Sequence, residues 1–159
     1  ERLLLQIAVT LHACGKFISM KNSNECGYAL IMSTEIIGLS HLEREIIANV
    51  VRYNIRDFDY DMMQLETEAG QDLAGVSDRT AITILIAKLT AILRLANSMD
   101  KTHKAKLIDS RMAVRDGRLV ITTGYQGDLA LESASFEQKA AFFEEIFGIR
   151  PVLKQKRRV

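Results

Sequence analysis

Between Arg79 and Asp100 the sequence carries only two charges, Lys88 and Arg94, among Ile82, Ile84, Leu85, Ile86, Leu89, Ile92, Leu93 and Leu95. Wound as a helix, those residues cover nearly the whole circumference, and a helix apolar on every side must be enclosed by others. The chain is therefore expected to fold as a helical bundle around this segment, which Ser77 should cap and which should end near Met99. No uninterrupted apolar run reaches the ~20 residues that a bilayer requires, so a buried core helix is expected and a membrane span is not.

The flanking patterns supply the partners. Leu4, Ile7, Ala8, Leu11 and Cys14 recur at helical spacing over residues 1–18, until Gly15 and the polar stretch Ser19–Glu25 interrupt them. A shorter helix is expected around Cys26–Thr34. Ser40-His-Leu-Glu43 has the S-x-x-E form of a capping box, in which each side chain satisfies the other residue's orphan amide. The helix it opens, to about Arg56, carries Leu42, Ile46, Val50 and Tyr53 on one stripe. Residues 57–76 are acidic and Gly-punctuated, as in a loop or short helix.

After Lys106 the period changes. Ile108–Val114 and Leu119–Thr123 flank Arg115-Asp116-Gly117-Arg118, and Asp-Gly between apolar runs signals a hairpin. Leu129–Glu132 reads as a third short strand, Ser135 as the cap of a helix Phe136–Phe147 stopped by Gly148, and Ile149–Leu153 as a last strand. The expected fold class is mainly α: a helical domain over 1–106 and a small α/β appendage, ββ(β)αβ, over 107–159.

Composition narrows the function. A net charge of +1 over 159 residues gives no global field that draws in a polyanion, and neither DNA nor a membrane is an expected partner. The basic residues do gather at the end, Arg150, Lys154, Lys156, Arg157 and Arg158, which reads as a solvated tail in preference to a polyanion contact. Two cysteines outside any CxxC pair fit a reducing compartment, so a cytoplasmic location is expected. The opening ERLLLQIAVTLH is already helical in pattern and lacks an initiating Met, as expected of a piece of a longer protein.

Several chemistries are excluded by motif: no G-x-x-x-x-G-K-[ST] loop, G-x-G-x-x-G, H-E-x-x-H or G-x-S-x-G occurs. Asp57, Asp59, Asp61 and Glu68 fall on calcium-loop positions, but Met62 stands where the turn requires glycine, so a solvated acidic loop is expected. His12, Cys14 and Cys26 are soft-metal ligand types without a fourth partner. The cysteines read as buried free thiols.

The most informative segments are Leu11-His12-Ala13-Cys14-Gly15-Lys16, Arg52-Tyr53-Asn54 and Leu93-Arg94-Leu95-Ala96-Asn97-Ser98-Met99-Asp100. In order and spacing they resemble the HD-type helical domain near the C-terminus of the exopolyphosphatase and guanosine pentaphosphate phosphohydrolase family. Its members read much like L-H-D-I-G, V-R-Y-H and L-R-L-A-D-A-L-D at these places. The stretch ALESASFEQKAAFFEEIFG resembles the family's closing segment. The resemblance implies an HD-like bundle over 1–106 in an auxiliary region. Its partners are then N-terminal actin-like ATPase-type domains, polyphosphate or a phosphorylated guanosine nucleotide, and a second subunit in a homodimer. The whole enzyme is expected to need Mg, with no cofactor held in this stretch.

The departures from the pattern matter equally. Metal-dependent HD sites use an H…HD…D ligand set to acidify a water for attack on phosphate. Here the doublet is His12-Ala13, the third-motif carboxylate is Asn97, and the family's H-x-H-S stretch is Asn22-Ser23-Asn24. Ala and Asn cannot replace two carboxylates around a divalent cation. The expectation is a vestigial HD position (His12, Ala13, Asn97) with no metal and no catalytic residue. Polyanion contact would then fall to Lys16, Arg52, Lys88 and Arg94. Arg94, on a nearly all-apolar helix, requires a partner: a phosphate in a cleft, a neighbour such as Asp100, or solvent reached by snorkelling.

Overall fold

The computed structural model describes residues 1–60 and 76–156, with side chains of the long helix from Arg79 onward. Asp61, Met62 and Glu68 of the calcium-like spacing lie outside the described residues, as do Arg157 and Arg158 of the basic C-terminal cluster. The order is α1 (Arg2–Leu11), a 3-10 turn (Cys14–Phe17), α2 (Ser23–Ser33), α3 (His41–Tyr53), α4 (Val76–Met99), β1 (Arg111–Arg115), β2 (Arg118–Thr123), α5 (Ala130–Phe147) and β3 (Arg150–Gln155). The chain is mainly helical with one small sheet. The chain divides into two packing units, Glu1–Leu93 and Arg94–Val159, and the boundary in sequence falls in α4.

In the first unit α2 and α1 each pack on α3, and the 3-10 turn packs on α2. Leu4, Ala8, Ile31, Ile47, Val50 and Ile86 are among the residues of its core. The capping box is present: Ser40 N–H donates to Glu43 Oε2 at 2.9 Å, and Glu43 N–H to Ser40 Oγ at 3.3 Å. The helix it starts stops at Tyr53, short of Arg56. The apolar pattern of residues 1–18 is not one helix, because α1 gives way to the tighter turn at Gly15. Helix α4 ends at Met99 as expected but begins at Val76, ahead of Ser77. It is not enclosed on all sides: Ile86, Leu89 and Leu93 are buried, yet Ile84 and Ile92 are 46% and 36% exposed.

The second unit is built on the hairpin. Asp116 and Gly117 have φ of 50° and 69°, the double left-handed turn that matches strand twist. Arg115 thereby pairs with Arg118. The third strand expected at Leu129–Glu132 and the cap expected at Ser135 are both corrected: Leu129 is the N-cap of α5, and residues 130–135 form its first turns. Ala130 N–H donates to Asp128 Oδ1 at 2.8 Å, so an Asp two residues upstream starts the helix. Gly148 ends it in the left-handed region, and β3 then pairs parallel to β2, with α5 as the crossover that parallel strands need.

Glu132 explains why that first turn is helical. Its carboxylate is fully buried and accepts from the Thr102 hydroxyl and, at 3.1 Å, from Lys106 Nζ. Lys106 also donates to Asp128 O at 3.0 Å. The Thr102 hydrogen bond foremost, with Lys106 helping, holds the Glu132 carboxyl below its ordinary value against its burial. A depressed folded-state pKa gives stability that is present above the unfolded value of ~4.3 and lost as pH falls through the folded one. Glu132→Ala strands Lys106 and is expected to cost about 3 kcal/mol in urea unfolding at neutral pH. Glu132→Gln should flatten the loss of stability below pH ~4.

Candidate functional site

The His12–Lys16 segment owes its shape to one close approach. A Cβ on Gly15 would lie 1.9 Å from Ser23 O and 2.5 Å from Gly27 N, so only glycine lets the 3-10 turn rest on the start of α2. His12 sits just past α1, with Nδ1 2.6 Å from Val9 O, a bond that places the ring proton on Nδ1 and folds the imidazole back on its own helix. Ala13 precedes the turn and brings no ligand atom. Lys16 is exposed and makes no ion pair among the described residues.

Cys14 is half-buried and free, as is Cys26. Burial raises the Cys14 thiol pKa, disfavouring the thiolate. Cys14 also borders an apolar cavity of about 520 Å³ with Ile7, Leu11, Leu30, Ile31 and Ile36. It acts as a small apolar side chain of the 3-10 turn, packed against the core of the first unit.

Arg52 is engaged internally. Its Nε donates to Glu25 Oε1 at 2.9 Å and its terminal nitrogen meets Glu25 Oε2 at 2.9 Å, a two-pronged grip. The guanidinium also lies 4.9 Å from the centre of the Tyr28 ring, and Arg56 adds a second cation on Glu25 at 3.0 Å. Burial pushes the Glu25 carboxyl up, but Arg52 and then Arg56 outweigh it and hold the pKa below its ordinary value. A guanidinium committed on both prongs and stacked on a ring is poorly placed to take a phosphate.

The two basic residues of α4 differ sharply. Lys88 is exposed, one turn from Ile84 and from Ile92, and has no ion pair among the described residues. Arg94 is 6% exposed, with its guanidinium 4.6 Å from the centre of the Phe142 ring, a cation–π contact. Asp100 Oδ1 accepts from Ala105 N–H. Asn97 is half-buried. His12 and Asn97 belong to different packing units, and among the described residues no three His, Cys, Asp or Glu side chains converge.

Glu25 and Phe142 were missed in the sequence, and both decide the fate of an arginine. Glu25 lies 27 residues from Arg52, beyond the reach of any local pattern. Its place in the first turn of α2 was the available hint, and the sequence pattern had started that helix a turn too late.

The family model for Ppx/GppA phosphatase, domain III, matches residues 1–139. The chain belongs to the Ppx/GppA phosphatase family. The match takes in the first packing unit whole and runs well into α5, so the His12, Arg52 and Arg94 segments are all inside it. A search among curated proteins finds no match for the chain.

This Ppx/GppA domain depends on Gly15 for the packing of its first motif. Gly15→Ala forces the turn off α2 and is expected to destabilise by about 1–3 kcal/mol in urea unfolding. Gly124→Ala, where an added Cβ meets nothing within 4 Å, should leave the midpoint close to wild type.

Proposed function

We propose that this domain serves its phosphohydrolase as a non-catalytic module that handles a phosphate chain and takes part in subunit association. The observation that carries the reading is the split among the candidate cations. Arg52 and Arg94 are committed to Glu25, Tyr28 and Phe142, whereas Lys16 and Lys88 are exposed. Exposed ammonium groups without carboxylate partners suit transient contact with successive phosphates, since each contact releases a counterion.

The absence of a catalytic role follows from side-chain chemistry. Metal-assisted hydrolysis needs carboxylate and imidazole donors around an open coordination position, and Ala13 and Asn97 stand at the two carboxylate positions of the resembling motifs. A metal-dependent HD phosphohydrolase acting by itself is the reading these residues disfavour. A purely structural or dimerising domain is favoured by one feature, the exposure of Ile84 and Ile92 on either side of Lys88, because apolar side chains aligned on a helix face suit packing on another protein surface.

Titration of the chain with labelled polyphosphate at about 50 and 200 mM salt separates these readings. The wild type should bind at low salt and weaken steeply. Lys16→Ala/Lys88→Ala should flatten the log–log salt dependence by about 0.7 per lost contact, whereas Arg52→Ala should lower Tm and leave the slope unchanged. No binding at low salt would leave the association role alone.

A further inference from the structure

The register of the C-terminal sheet sorts its residues onto two faces, because successive side chains alternate. Ile121, Thr123 and Pro151 are buried on one face, and α5 packs on β3. On the other face the pairing sets Arg115 beside Arg118, and Arg118 beside Arg150. Two residues along the strands come Ala113, Val120 and Val152, then Arg111, Thr122 and Lys154. Five of these nine positions are basic, none is acidic, and all five basic residues are exposed.

Arg150 is held by Glu137 and Glu144 at 3.0 and 2.8 Å, and Asp116 occupies the turn between Arg115 and Arg118. Arg111, Arg115, Arg118 and Lys154 make no ion pair among the described residues. Like charges directly opposite one another on neighbouring strands oppose sheet formation. An anion lying across them reverses the sign of that interaction, and arginine is the side chain best shaped to grip phosphate.

We propose that this open face of the sheet binds a linear, base-free polyanion, with a phosphate chain laid over the three strands. The inference rests on the phosphate-chain reading above and moves its main contact from the helical unit to the sheet. The geometry suits an extended ligand. At about 4.8 Å between strands, Arg115 and Arg118 stand side by side, Arg150 beyond them being committed to Glu137 and Glu144, and Arg111 and Lys154 lie about 13 Å farther along the strands. The middle of the face argues against nucleic acid. Sheet and groove proteins that hold single strands stack bases on aromatic rings, and here that position is Ala113, Val120 and Val152.

The test compares the chain with Arg115→Gln/Arg118→Gln and with Lys16→Ala/Lys88→Ala. Each is titrated with labelled polyphosphate at two salt concentrations, with single-stranded RNA of equal charge as competitor. The glutamines are on exposed positions and remove a like-charge pair, so Tm should hold or rise, and circular dichroism checks this. The sheet variant is expected to bind at least tenfold more weakly, with a flatter salt dependence, and to lose more than the lysine variant. RNA should compete poorly. Undiminished binding by the folded sheet variant, with loss in the lysine variant, would overturn the inference and leave the phosphate-chain reading standing. Absence of binding by the wild type would sink both. RNA displacing polyphosphate at equal charge would overturn the base-free ligand.

Discussion

The two-pronged contact between Arg52 and Glu25 over the Tyr28 ring ties α3 to α2, and the placement of the other motifs in the helical unit follows from that union. Helix α2 is the surface on which the 3-10 turn rests. Gly15 can approach Ser23 O only because no side chain intervenes, and Gly27 in turn meets Val51 of α3. The same three elements thus fix both the His12 segment and the arginine that follows it in the motif order. The consequence for function is a division of charge. An arginine that organises the fold is occupied, and the proposed contact with an external anion is assigned to cations that organise nothing.

The second unit repeats that logic with a carboxylate. Glu132 is buried because Thr102 and Lys106 satisfy it. That satisfaction anchors the connection after α4, in which His103 and Ala105 adopt left-handed backbone conformations. Lys106 is committed there, as Arg150 is to Glu137 and Glu144. The remaining basic residues of the hairpin stand in rows set by strand register, and a tight Asp116-Gly117 turn fixes that register.

Local chemistry was readable in advance wherever one residue decides an outcome: the Ser40/Glu43 box, the Asp116-Gly117 turn, the Gly148 stop and the end of α4. The errors arose where tertiary partners overrule pattern. Leu129–Glu132 reads as a short strand, yet Asp128 starts a helix there and the buried Glu132 has a partner in Lys106 across the unit. The circumference of α4 reads as wholly buried, but Ile84 and Ile92 keep one face open. The C-terminal basic cluster reads as a solvated tail, and Arg150 and Lys154 are indeed exposed, but they stand on β3, which runs two residues past the strand expected over Ile149–Leu153. Arg52 was a candidate contact because its partner is distant in sequence. The basic face of the sheet was also present as alternation, Arg111 and Arg115 then Arg118, but its meaning depends on register with β3, which no single segment carries.

The family match places this chain in the Ppx/GppA phosphatase family, and the division of its cations is the claim on which the account turns. Arginine side-chain NMR during titration with polyphosphate tests it most directly, since each guanidinium Nε–H reports its own bonding. The account predicts that the Arg52 signal stays protected and unmoved while signals from the exposed arginines of the hairpin shift. A shift and loss of protection at Arg52, with the hairpin signals unmoved, would contradict it.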